Sequence, residues 1–163
     1  MLYWKEKYKE KLILPDFLEE TLKKIRMHNK TVVTLNGSFD LLHPGHLQII
    51  YEASLQADIL IVALNSDASI QTYKCAKRPI ISLENRLQHI AALQFVDYIT
   101  WFDETDPRAL LEKIRPDVHV NGAEYGADCI ESETVTKHGG VLYQVGRISG
   151  LSTTEIIQKI KTL

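Results

Sequence analysis

Ile59-Leu60-Ile61-Val62-Ala63-Leu64 is an apolar run with no polar residue to break it. A strand open to water on one face alternates polar and apolar side chains. A run without alternation belongs to a strand covered on both faces, the usual condition of a parallel sheet. The run is far too short to cross a bilayer. It stops at Asn65-Ser66-Asp67, a loop and cap signal. The chain must therefore supply covering elements to both sides of this strand.

Strand and helix patterns alternate along the rest of the sequence. β-rich apolar runs occupy Thr31–Leu35, Tyr98–Trp101, Val118–Val120 and Val141–Val145. Helical patterns are read at Pro15–His28, with Phe17, Leu18, Leu22 and Ile25 on one side, and after His46, with Leu47, Ile50, Tyr51, Ser54 and Leu55 in register. Further helices are expected from Ser82 to Leu93, Pro107 to Ile114 and Ser152 to Ile160. This pattern predicts an α/β fold: a Rossmann-like open parallel sheet with helices on both faces and right-handed crossovers. Residues 1–30 read as an N-terminal helical extension and 31–163 as the domain proper. Ligands of such sheets sit beyond the carboxyl ends of the strands, so the informative loops are 36–45, 66–79, 121–125 and 147–154.

At 163 residues the chain can bury one core of its own. A net charge of −2 excludes a general nucleic-acid or membrane-surface binder. Two cysteines make no disulfide framework and suit a reducing compartment. The opening MLYWKEKYKEKL is too charged for a secretory segment, so a cytoplasmic location is expected.

The chemistry concentrates after the first strand. Asn36-Gly37-Ser38-Phe39-Asp40 leads to His43-Pro44-Gly45-His46 and a helix. Pro44 suits a first helical turn. The two histidines, three apart, share a face. Free N–H groups at a helix start favour an anion, and Gly45 removes a side chain where a phosphate must come close. Two such histidines could also be half of a zinc site, but Cys75 and Cys129 lie far apart and have no CxxC partner. Asp40 is a candidate metal or water contact, with turn capping as the alternative. In Arg147-Ile-Ser-Gly-Leu-Ser152-Thr153-Thr154-Glu155, Ser152 and Glu155 form a capping box. The Gly, the hydroxyls and Arg147 add a phosphate-binding reading. Lys74, Lys77 and Arg78 form a basic stretch, either a solvated loop or a lid over phosphates anchored at Pro79-Ile80. Arg86 falls in the first turns of the next helix, where a surface position is one reading and a part in the site the other. Gly122 follows a strand, where backbone can approach a ligand, and Glu124 either binds ribose hydroxyls or faces solvent. His28, His89, His119 and His138 have no supporting constellation and read as structural.

With both loops in view, the chain resembles the cytidylyltransferase-like nucleotidyltransferases. Within them it is most similar to the adenylyltransferase branch that acts on D-glycero-β-D-manno-heptose 1-phosphate. The resemblance is carried by NGSFDLLHPGH, ALNSDASI, KRPIISLENR, VDYI, PDVHVNGAEY, GGVLYQV and LSTTEII, from about Thr31 onward. It departs from the branch at Ser38 (usually Cys), Asn121 (usually Lys) and Glu124 (usually Asp). RISGLSTT is also similar to the glycerol-3-phosphate cytidylyltransferases, which use CTP. A nucleotide-binding regulatory module without turnover is the non-enzyme alternative. The kinase half of bifunctional heptose enzymes is not among the matching segments.

The resemblance implies transfer of AMP from ATP to a sugar phosphate, with His43, His46, Lys74 and Arg147 catalytic. It places Asn36, Gly37, Ser38, Phe39, Gly45, Gly122, Glu124, Ser152 and Thr153 around the nucleotide. Mg²⁺ is expected on the phosphates. A homodimer is expected in this family, with the apolar positions of the N-terminal helix available for the contact.

Overall fold

The computed structural model describes residues 3–126, 128–146 and 152–163. A short helix α1 (Trp4–Lys7) precedes α2 (Leu18–Met27), and β1 (Val32–Gly37) leads to α3 (Pro44–Ser54). Next come β2 (Ile59–Asn65), α4 (Asp67–Tyr73), α5 (Leu83–Ala91) and β3 (Tyr98–Phe102). The chain finishes with α6 (Arg108–Ile114), β4 (Val118–Gly122), α7 (Ser132–Thr136), β5 (Val141–Val145) and α8 (Thr153–Lys161). The five strands form one sheet in the order β3-β2-β1-β4-β5, every pair parallel.

Period-two alternation sorts the strand side chains into two cores. Leu60, Val62 and Leu64 join Val33 and Leu35 under α3 and α5. Ile61 and Ala63 join Val32 on the other face under α2 and α6. The run that opened the sequence is thus buried on both faces. Aspartates at the strand starts fix the register: Asp117 accepts from the Val32 N–H at 2.7 Å and Asp97 from the Leu60 N–H at 2.8 Å.

Several expectations need correction. The predicted 66–79 loop contains α4, whose Ser66 cap accepts from the Ser69 N–H, and α7 was not foreseen. On α3 the buried positions are Ile50 and Ala53, while Leu47, Tyr51 and Leu55 are exposed, because His46 turns the helix's inner face toward the strand ends. Phe17 is exposed too, since the chain there is a 3₁₀ turn ahead of α2. Leu18, Leu22 and Ile25 are used in the chain's own second core, so they offer no subunit contact. The N-terminal segment also reaches the far edge of the sheet, where Leu12 bridges to Ile99 and the Ile13 N–H donates to the Ile99 carbonyl at 2.9 Å. No helix among the described residues is long and apolar enough to cross a membrane.

Candidate active site

The sheet order reverses at β1, whose neighbours are β2 and β4. Beyond the carboxyl ends of β1, β4 and β5 lies a cleft of about 350 Å³. Eleven of the anticipated residues line it: Asn36 and Gly37 at the end of β1, with Ser38 and Phe39 just after it; His43, Gly45 and His46 at the start of α3; Lys74 after α4; Gly122 at the end of β4; and Ser152 and Thr153 at the start of α8. Arg147 lies outside the described residues, as does the side chain of Glu124.

Local sequence explains the shape of this loop. Phe39 and Leu41 hold left-handed backbone, φ 46° and 51°, uncommon for residues with a side chain. The turn buries the Phe39 ring edge-on to His46, with centroids 5.4 Å apart. That ring sits so close to Gly37 that a Cβ there would meet it at 3.2 Å. His43 is the N-cap of α3 in extended backbone, with Pro44 opening the helix. Its carbonyl accepts the His46 N–H at 2.9 Å. The His43 and His46 rings stack at 3.8 Å. Neither Nδ1 has a hydrogen-bond partner among the described residues, so none of these fixes the tautomer from that side of the ring.

Burial sets the electrostatics. Desolvation, helped by His43 and Lys74 and opposed by Asp40, lowers the His46 pKa to about 4. His43 is also lowered, again by burial, with Glu155 acting the other way. Lys74 is lowered by burial and by Arg78. Its Nζ stands 3.4 Å from the Ser38 hydroxyl. The cleft therefore offers two neutral imidazoles, a lysine ammonium and the free N–H ends of two helices, a set suited to holding a polyanion.

Ser152 caps α8 as expected, its hydroxyl accepting the Glu155 N–H at 3.1 Å. Thr153 has a second task, donating to the Asp40 carbonyl at 2.7 Å.

The Asp40 carboxylate is engaged by the protein itself. The residue is wholly buried, and its carboxylate accepts from Arg78 Nε and from the Ile80 and Ile81 N–H groups, each at 2.9 Å. This is the turn-capping alternative, reaching across to the segment after α4. Among the described residues no cluster of three or more metal-ligating side chains exists.

Of the two readings of Arg86, the surface one fails. The residue is fully buried and donates to the carbonyls of Ser38 (2.6 Å), Asn65 (2.8 Å) and Ile81 (2.9 Å), and to Asp67 (2.8 Å). Sequence reading missed Ile49, Tyr125 and Val145 on the cleft wall. Their residue types carry no phosphate signal; only their position at a strand end or on the inner side of α3 could have marked them.

His119 is structural as expected. It is buried, its Nδ1 lies 2.8 Å from the Thr34 hydroxyl, and desolvation lowers its pKa to about 4.

Comparison with known proteins agrees with this geometry. Residues 34–159 match the family described as cytidylyltransferase-like. The chain is 40% identical over 154 residues to the bifunctional protein HldE of Syntrophotalea carbinolica, covering 94% of this chain and 31% of that protein. It is 44% identical over 136 residues to bifunctional protein HldE of Geobacter sulfurreducens, covering 83% and 28%. The chain thus spans about a third of the length of these relatives. Among solved structures, the lipopolysaccharide core biosynthesis protein of Thermoplasma volcanium superposes with a TM-score of 0.59 at 27% identity, covering 73% of this chain and 97% of that one. Pantoate-beta-alanine ligase of Francisella tularensis, solved with an ATP analogue and β-alanine, shares the fold, with a TM-score of 0.63 at 15% identity over 93% of this chain and 78% of that one. The chain belongs to the cytidylyltransferase-like family of nucleotidyltransferases.

Proposed function

We propose that the protein transfers AMP from ATP to a sugar 1-phosphate, D-glycero-β-D-manno-heptose 1-phosphate, releasing pyrophosphate and forming ADP-heptose. The observation that carries this reading is the meeting of His43, His46, Lys74 and the Ser152–Thr154 turn in one cleft. Relatives named HldE support the choice of acceptor.

The acceptor's phosphate oxygen attacks the α-phosphorus of ATP. As that P–O bond forms, the bond from the α-phosphorus to the α,β-bridging oxygen breaks, and pyrophosphate leaves with the electron pair. No side chain becomes covalently attached; catalysis is alignment plus stabilisation of charge spread over phosphate oxygens. His43 and His46, uncharged before substrate binds, donate hydrogen bonds to oxygens of the α-phosphate. Lys74 supplies a full positive charge beside the Ser38 loop. Backbone from Asn36 to Phe39 and Gly45 admits the triphosphate closely. Ser152, Thr153 and Arg147 receive the leaving phosphates, and Gly122 and Glu124 border the ribose. Bound with the triphosphate, Mg²⁺ would be held mainly by phosphate oxygens and would supply neutralisation of their charge.

A CTP-dependent transfer to glycerol 3-phosphate is the second reading, favoured by RISGLSTT. Phosphate loops touch what all nucleotides share and discriminate bases poorly, so the middle segments weigh more. Pyrophosphate release with four nucleotides against a panel of phosphorylated sugars and polyols separates the two. The expected result is ATP over CTP by at least about tenfold in kcat/KM, a gap of about 1.4 kcal/mol. A predominantly CDP-linked product overturns the ATP assignment, and no pyrophosphate with any pair overturns the activity.

A further inference from the structure

We propose that Arg78 is a positioning residue that sets Lys74 over the phosphate loop by anchoring the segment between α4 and α5 to Asp40. This rests on the nucleotidyltransferase reading only for the part Lys74 plays in the cleft.

Residues 75–77, which follow Lys74, are exposed to solvent. Lys74 itself caps α4, its N–H donating to the Ile70 carbonyl at 3.0 Å, and the rest of the stretch up to α5 is held at its far end. The three donors to the Asp40 carboxylate all come from there: Arg78 Nε, the Ile80 N–H and the Ile81 N–H. The ion pair is withdrawn from water, the Arg78 side chain being 12% exposed and that of Asp40 0%. A pair so placed is strongly missed when one partner is removed, because the other charge stays buried alone. Among the described residues Asp40 is the only hydrogen-bond partner of the Arg78 side chain, and its Nη2 is buried without one.

Asp40 gathers three loops. Its carboxylate takes the 78–81 donors, its carbonyl takes the Thr153 hydroxyl at the start of α8, and it sits between Phe39 and Leu41 in the turn that leads to His43. Lys74 lies close along the chain from Arg78, with a turn closed between them by the Arg78 N–H on the Cys75 carbonyl at 3.0 Å. Docking of Arg78 leaves little slack, which places the ammonium at the cleft beside Ser38. Releasing Arg78 would free the Lys74 side chain to leave the cleft, while the Ser38 carbonyl stayed held by Arg86.

The chain carries its own reporter. Lys77, next to Arg78, is exposed and is a trypsin site. Cleavage after Lys77 in the full chain, followed by mass spectrometry, measures freedom of the segment without any substrate, because even an exposed loop must open locally to enter a protease. Arg78→Met should speed this cleavage by at least about fivefold through local opening. The same variant should lose at least about tenfold in kcat/KM for pyrophosphate release through misplacement of Lys74, with Arg78→Lys recovering part. A folded Arg78→Met with wild-type cleavage rate and wild-type kcat/KM overturns the proposal. If Arg78→Met does not fold, Arg78→Gln, which keeps a donor without the charge, carries the same comparison. A wild-type protein that turns over no nucleotide defeats the proposed function, while the cleavage rates still judge the anchor.

Discussion

The imidazoles of His43 and His46 lie stacked, ring centroids 3.8 Å apart and planes 24° from parallel, with the His46 pKa held down to about 4. Two charged rings could not rest this way in a half-buried cleft without a counter-ion. A bound triphosphate supplies one and favours protonation. The imidazole Cε1–H resonance of His46 should therefore titrate near 4 in the free protein and at clearly higher pH with ATP bound. An identical titration in both states would remove His46 from the phosphate site.

His46→Ala tests the same group by rate. The variant should fold and lose at least about 10²-fold in kcat, about 2.7 kcal/mol of transition-state stabilisation. Steady-state pyrophosphate release on a variant with a native circular dichroism spectrum is the measurement. An unchanged kcat would return His46 to a packing role against Phe39.

Stability should depend on pH through the same residues. His46 and His119 both have folded values lowered to about 4, against about 6.5 when unfolded. Between these values the unfolded chain binds more protons, so stability rises with pH. The contribution is complete above about pH 6.5 and is lost as pH falls toward about 4. Urea midpoints at several pH values should fall across that window, and His119→Leu should flatten part of the slope. A midpoint constant from pH 7 to 4.5 contradicts this reading.

Arg86→Met should destabilise the fold by about 3 kcal/mol or more, since the Ser38, Asn65 and Ile81 carbonyls lose their donor in a buried site. Asp67 is partly exposed and can rehydrate. Equilibrium denaturation gives the number, and a loss under about 1 kcal/mol would mean water replaces the guanidinium at little cost.

Arg147 is placed at the leaving phosphates from sequence. Arg147→Ala should raise KM for the triphosphate or lower kcat, and Arg147→Lys should recover only part, because a guanidinium holds two phosphate oxygens at once. Normal binding and turnover in the alanine variant would move the leaving-phosphate site elsewhere.

What could be read in advance depended on how many residues carried each signal. β2 announced itself through six consecutive apolar side chains, and the starts of α3 and α8 through Pro44 and Ser152. α4 did not, because two turns of DASIQTY bury only Ser69 and Ile70, too few for a helical stripe. The side of α3 that faces inward was misjudged because Leu47, Tyr51 and Leu55 keep helical spacing while His46 decides the rotation. Arg86 stays open in the sequence for a different reason. A charged residue early in a helix reads as solvated unless the carbonyls waiting for it are known, and those come from three separate loops. The eleven cleft residues were legible because loops at the carboxyl edge of a parallel sheet converge whatever their sequence separation.

An open parallel sheet has two raw margins, and here the one on β3 is not left bare. Leu12 and Ile13 lie along it, with the Ile13 N–H spent on Ile99, and Lys11 reaches the Leu93 carbonyl at 2.9 Å. Unpaired strand margins recruit other chains into growing aggregates, and cells tolerate such proteins poorly. The residues ahead of β1 therefore act as a fender along this margin, protecting the solubility of a molecule whose chemistry happens at the opposite end of its strands.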